Sequence, residues 1–109
     1  MYHNSQITAH RLESLAQLVR KQQVSDVMAR TLDKLFGVER AESLRQLEQI
    51  QKDLQAMEDK YGMDSETFYR KYQAGETDDR MDFVEWASLV QMAINLKERL
   101  ALLDVNVEE

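Results

Sequence analysis

The chain of 109 residues has no cysteine and no proline, three glycines and two histidines. Without cysteine there is neither a disulfide nor a thiolate metal site, which suits a reducing compartment. Without proline, no helix has to break where a backbone N–H donor is missing. No apolar run approaches the ~20 residues of a membrane span, and the N-terminal MYHNSQITAH lacks a signal-peptide core. The expected location is therefore cytoplasmic, with no membrane partner. His3 and His10 stand apart from any clustered chemistry and read as surface or capping residues. No serine sits in a nucleophile-elbow setting. The expectation is a non-enzymatic chain with no catalytic residue, no cofactor and no metal.

What is present favours helix. Leu, Glu, Gln, Ala, Arg and Lys are abundant, all good helix formers. Leu12, Leu15, Ala16 and Val19 fall at i, i+3, i+4 and i+7, which predicts an amphipathic helix over roughly residues 8–22. Ser25 offers an N-cap to a second apolar face made of Val27, Met28, Leu32, Leu35 and Phe36, so residues 8–36 read as two helices. Over residues 39–61, Leu47, Ile50, Leu54, Met57 and Tyr61 alternate at three and four. That seam suits either a short coiled coil or a hairpin folding back within the chain. Residues 80–103 carry Phe83, Trp86, Ala87, Leu89, Val90, Ala93, Ile94, Leu96, Leu100 and Leu103 over more than half the circumference, as in a helix buried on two sides. The tail DVNVEE is expected to fray.

Gly37, Gly62 and Gly75 each stand where a helix would end on a left-handed residue, with Lys34, Lys60 and Lys71 in or near those last turns. Asp64 or Ser65 is placed to cap a helix over 65–74, and Asp78 or Asp79 to cap the final one. The expected fold is all-α, a small bundle of four to five helices with a long C-terminal helix, dimerised through helix–helix packing. Residues 1–40 would form an N-terminal hairpin and residues 41–109 a second hairpin with the long helix, in one compact domain overall. Leu47, Ile50, Leu54, Leu89, Leu96, Leu100 and Leu103 are the candidate oligomer-interface residues.

Two uneven distributions bear on function. Six of the eight aromatic residues lie in residues 61–86, around the acidic stretch 76-ETDDRMDFVE-85. Charge is also polarised: residues 1–40 carry six Lys/Arg against four Asp/Glu, and residues 41–109 carry eight against sixteen. An EF-hand needs alternating ligands around a central glycine, and a di-iron bundle needs paired Glu-x-x-His; neither order is present. The acids suit a helix start, and the rings suit a buried corner between helices. Tyr69, offset from Phe68 and Tyr72, is the ring expected to face outward with its hydroxyl in water. In the N-terminal third, ITAHRLESLAQLVRKQQVSDVMARTLDKLF has the rhythm of a strand and two helices, a distant likeness to the ribbon-helix-helix DNA-binding unit. The segment before Ile7 has no alternating basic readers and the glycine between the helices is missing, so a plain hairpin is the preferred reading and DNA an open alternative.

The segment 60-KYGMDSETFYRKYQAGETDDRMDFVEW-86 resembles a pattern of small uncharacterised bacterial and archaeal proteins. Its form is YGM-S-E-F-Y-x-x-Y/F-x-x-G-E-x-D-D-x-D-F-x-E-W, followed by a leucine-rich helix. A number of these proteins are similar to TumA-like type II antitoxins. Tyr61, Gly62, Met63, Phe68, Tyr69, Tyr72, Gly75, Glu76, Asp79, Asp82, Phe83, Glu85 and Trp86 carry the resemblance, over about a quarter of the chain. It implies a protein-binding module that neutralises a small basic toxin through an acidic C-terminal part, with a dimerising and DNA-contacting N-terminal part. Tyr69, Asp79, Asp82, Glu85 and Trp86 would make the partner contact. The alternative is a structural helical homodimer or adaptor with neither a toxin nor DNA as partner.

Overall fold

The computed structural model describes the backbone of residues 2–104 and the side chains of residues 4–104. The expectations for His3 and for the tail beyond Asp104 lie outside the described residues. Among the described residues there are four helices and no strand: α1 (Tyr2–Arg20), α2 (Asp26–Tyr61), α3 (Ser65–Gln73) and α4 (Met81–Leu103). The all-α expectation holds, with four helices and not five. Ile7 lies inside α1, so the short strand of the ribbon-helix-helix likeness is absent.

Local chemistry explains each boundary. α1 ends at Arg20, where Gln22 takes a left-handed conformation with φ 58°. The Gln22 N–H donates to the Val19 carbonyl and the Gln23 N–H to the Leu18 carbonyl, which together close a Schellman motif. Ser25 then caps α2 as expected, its Oγ accepting from the Met28 N–H at 3.1 Å. Gly37 does not stop α2. It lies within the helix and outside the positive-φ residues, and good helix formers succeed it in ERAESLRQLEQ. The long α2 ends instead at Gly62 (φ 63°), whose N–H donates to the Glu58 carbonyl. α3 starts on Asp64, whose Oδ1 accepts from the Thr67 N–H at 2.7 Å. It closes in a second Schellman motif around Gly75 (φ 73°), with Glu76 N–H donating to the Lys71 carbonyl.

The expected cap of the last helix is corrected. Neither Asp78 nor Asp79 caps α4; the N-cap position is Arg80, which makes no side-chain capping bond. The Asp78 carboxylate is engaged one step earlier, accepting from both the backbone N–H and the guanidinium of Arg80. An aspartate finds the donor two residues on before it can reach the helix.

The chain divides into two compact units, Met1–Gly37 and Val38–Glu109, with α2 continuous across the boundary. In the first unit, α1 and the start of α2 form a hairpin whose best-covered side chains, Leu15, Ala16, Val24 and Leu32, are only half-buried. In the second unit, the rest of α2 runs antiparallel to α4. Glu39 pairs with Arg99, Leu47 and Ile50 cluster with Ala93 and Leu96, and Lys60 and Tyr61 meet Asp82 and Phe83. Leu54, Leu89 and Leu100 pack against that cluster, and Leu103 is half-buried. The leucines expected at an interface between chains thus bury one another inside one chain. The seam folds back as a hairpin, the other arrangement its spacing allows.

Candidate functional site

α3 lies against α4, and between them and the end of α2 sits the ring cluster. Phe68 and Trp86 are 1% and 0% exposed and stack face to face, with centroids 3.9 Å apart and planes at 3°. Tyr61 meets Phe83 edge-on at 5.0 Å, and Phe83 lies 5.3 Å from Phe68. Such pairs add about 0.5–1.5 kcal/mol each beyond the burial itself. The buried indole has its polar atom satisfied, since Trp86 Nε1 donates to Ser65 Oγ at 2.9 Å. Ser65 N–H in turn donates to Glu58 Oε2 at 2.8 Å, which ties the start of α3 to α2. Glycine-ended helices bring the rings to one corner, and helical spacing puts Phe68 with Tyr72 (i, i+4) and Phe83 with Trp86 (i, i+3) on the face each helix turns to it.

The rim of the corner is polar and cross-linked. Asp82 Oδ2 accepts from the Tyr61 hydroxyl at 2.6 Å and from Lys60 Nζ at 2.7 Å. The Lys60 ammonium, and after it the Tyr61 hydroxyl, hold the Asp82 carboxyl below its ordinary 3.8. Asp78 is pushed down to about 2 by the Arg80 guanidinium and backbone N–H. That guanidinium also lies 4.6 Å over the Phe83 ring, a cation–π contact closing the corner.

The five residues expected to contact a partner therefore separate. Trp86 is fully buried, so its ring is core and cannot reach a partner surface. Tyr69 is half-buried, and its hydroxyl, at the solvent-exposed surface, donates to Gln91 Oε1 at 2.8 Å. Asp82 is half-exposed but held by Lys60 and Tyr61. Asp79 and Glu85 are exposed and make no side-chain bond among the described residues.

Asp82 and Glu85 are brought together on a shallow groove between α2 and α4, with Asp53, Ala56, Met57, Lys60 and Leu89. It continues into a second depression through Asp53 and Leu89, reaching Met92, Ile50, Gln49 and Arg45. No α3 residue lines either, so Tyr69 lies off this surface. The groove joins an apolar floor to an acidic rim, three carboxylates against one ammonium in its first part. Sequence patterns alone do not single out Asp53, Met57 and Met92 as members of a site. The available signal is that Asp53 stands four residues before the seam residue Met57 on α2, so that it borders the apolar face.

A third groove, of about 480 Å³, belongs wholly to the first unit. Leu12, Leu15, Ala16 and Val19 of α1 and Ala29, Leu32 and Phe36 of α2 line it, with Arg20 and Asp33 as its charged members. Leu12, Val19 and Phe36 are 55%, 42% and 44% exposed, a large open apolar surface for so small a unit. Among the described residues no three His, Asp or Glu side chains converge as a metal site requires, and no helix is long and apolar enough to cross a membrane. Compared with known protein families, with curated proteins and with solved structures, the chain finds no match in any of the three.

Proposed function

We propose that this chain is a non-enzymatic protein-binding module that masks a small basic protein, in the manner of a type II antitoxin. The observation that carries the reading is the α2–α4 groove, where Asp53, Asp82 and Glu85 rim the apolar Met57 and Leu89. Acid of this density steers a basic partner into encounter, and the apolar floor supplies contact area once it has docked. The net excess of acid over residues 41–109 and the resemblance of residues 60–86 to antitoxin-like proteins point the same way. Tyr61 and Lys60 fix the Asp82 carboxylate in place, so the rim is preorganised and loses little freedom on binding. Asp79 is exposed outside the groove lining and takes no part in this reading, while the buried Trp86 and the Tyr69–Gln91 hydrogen bond hold α4 against α3.

The test is co-expression with the product of the adjacent gene, followed by co-purification and a growth assay. The native chain should rescue growth and co-purify with its partner. Glu85→Lys, exposed and outside the ring cluster, should weaken both while the protein stays folded. A toxic neighbour rescued equally by Glu85→Lys and by a further Asp53→Lys change would remove the groove from the account. A neighbour that is neither toxic nor bound would remove the antitoxin role itself.

A further inference from the structure

We infer that the α2–α4 groove receives a single helix of its partner, apolar along one face and cationic at one end, an inference that rests on that groove being the binding surface. Two helices packed side by side leave two open sides along their seam. α3 covers one of them, where Phe68 packs with Trp86, Ala87 and Val90. The groove is the other side, and no α3 residue lines it. Its lining runs along α2 from Arg45 to Lys60. At 1.5 Å per residue that is about 22 Å, or roughly four turns of a helix laid beside it.

The walls decide the conformation of the occupant. At the floor residues Ile50, Met57 and Leu89 both walls are α-helix, so their N–H and C=O groups are bonded along each ladder. An extended segment gains affinity by pairing with the backbone of a sheet edge, and two helices offer none. Laid on this floor it would bury its own amides without partners. A helix brings its amides already paired and sets side chains at i, i+3, i+4 and i+7 into the floor. Charge decides the pattern along that helix. At one end Asp53 on α2 and Glu85 on α4 stand on opposite walls, both exposed, while Lys60 is engaged by Asp82. At the other end the uncharged Gln46, Gln49, Ile50 and Met92 line the groove, and Arg45 is engaged by Glu42. Cations are therefore called for on both flanks of the apolar face at the acidic end, and uncharged residues beyond it. A second copy of the same groove would set acid against acid, and nucleic-acid phosphates would meet the same carboxylates.

The test is fluorescence anisotropy and circular dichroism of the full chain with two labelled peptides of identical leucine, alanine and lysine composition. One sets leucine at i, i+3, i+4 and i+7, with lysines flanking that stripe at one end. The other permutes the same residues into strict alternation. The helical-pattern peptide should bind roughly tenfold tighter than its isomer and gain helicity on binding. Glu85→Lys should weaken it by roughly tenfold, and Asp79→Lys, the same charge change outside the lining, by less than about twofold. Met92→Lys, at a side chain 46% exposed in the uncharged half, should also weaken it while the emission of buried Trp86 stays unchanged. Equal binding of the two peptides, both weakened by Glu85→Lys, would overturn the helical occupant and leave the acidic groove standing. Binding of neither peptide would overturn the inference, and co-purification of the Glu85→Lys chain with its neighbour would then show whether the groove falls with it. A native chain that runs at twice its 12.8 kDa mass and returns to it in Met92→Lys would give the groove to a second copy and overturn the inference too.

Discussion

At the scale of single residues, two serines in different circumstances make the clearest contrast. Ser65 Oγ accepts from the Trp86 indole, whereas Ser43, 1% exposed on the inward face of α2, has a hydroxyl with no partner among the described residues. Removing a hydroxyl that satisfies a buried donor is expected to cost about 1–3 kcal/mol, and removing an unsatisfied one should be neutral or stabilising by ~1 kcal/mol. Urea unfolding should therefore place Ser65→Ala below the native protein and Ser43→Ala at or above it. Equal losses at the two positions would contradict the assignment. Trp86→Ala should remove ~3–5 kcal/mol, a large share of what a small domain possesses. The rim also sets a pH dependence. Asp82 and Asp78 have carboxyls lowered in the folded state by Lys60 and Arg80, so their contribution is complete above the ordinary 3.8 and is lost as pH falls through their lowered values, about 2 for Asp78. Melting temperature should drop across that window, and by less in Asp82→Asn. A mutant whose acid limb matches the native one would count against the Lys60–Asp82–Tyr61 cluster as a stabilising contact.

At the scale of elements, much of the helical order is readable from the sequence, but the passage of α2 through Gly37, the turn at Gln22 and the Arg80 cap of α4 are not. Ser25 and Asp64 cap as their positions suggest, and Gly62 and Gly75 end helices in the left-handed conformation. Gly37 carries the same signal without its effect, because a glycine stops a helix only when the residues after it cannot continue the helix; here VERAESL does continue it. The true stop, Gln22, carries no signal at all, since its conformation is imposed by the hydrogen bonds of the turn and not by its own preference. Substitutions should expose this inversion. Gly37→Ala, with open space for the new methyl, should stabilise by about 1 kcal/mol, and Gln22→Gly should stabilise by ~1 kcal/mol through relief at φ 58°. Gly62→Ala, equally free of clashes but at φ 63°, should destabilise by about 1 kcal/mol. Thermal melts of the three variants read all three signs. The leucine seam shows a related limit. Its three-four spacing fixes which face is apolar but not whose helix covers it, and α4 of the same chain does so. The expectation of Trp86 as a partner contact fails for that reason too. A ring at i+3 from Phe83 is core or contact according to whether α3 folds over it, and periodicity within α4 carries no information about α3.

At the scale of the whole molecule, the two units differ in where their stability comes from. Residues 38–104 bury Leu47, Ile50, Phe68, Trp86, Val90 and Leu96 within one chain, while the hairpin before them has its apolar side open. An acidic unit with its own core is thus joined in sequence to a unit with no buried side chain among residues 4–37. The most direct measurement is amide hydrogen exchange on the full chain at several protein concentrations, read separately over residues 4–37 and 38–104. Protection should be high in α3, α4 and the second half of α2, whose side chains form the core, and much lower in α1 and the start of α2, where no side chain is buried. Equal protection of both regions at every concentration would contradict the account, since the hairpin would then be stable on its own terms with its groove open.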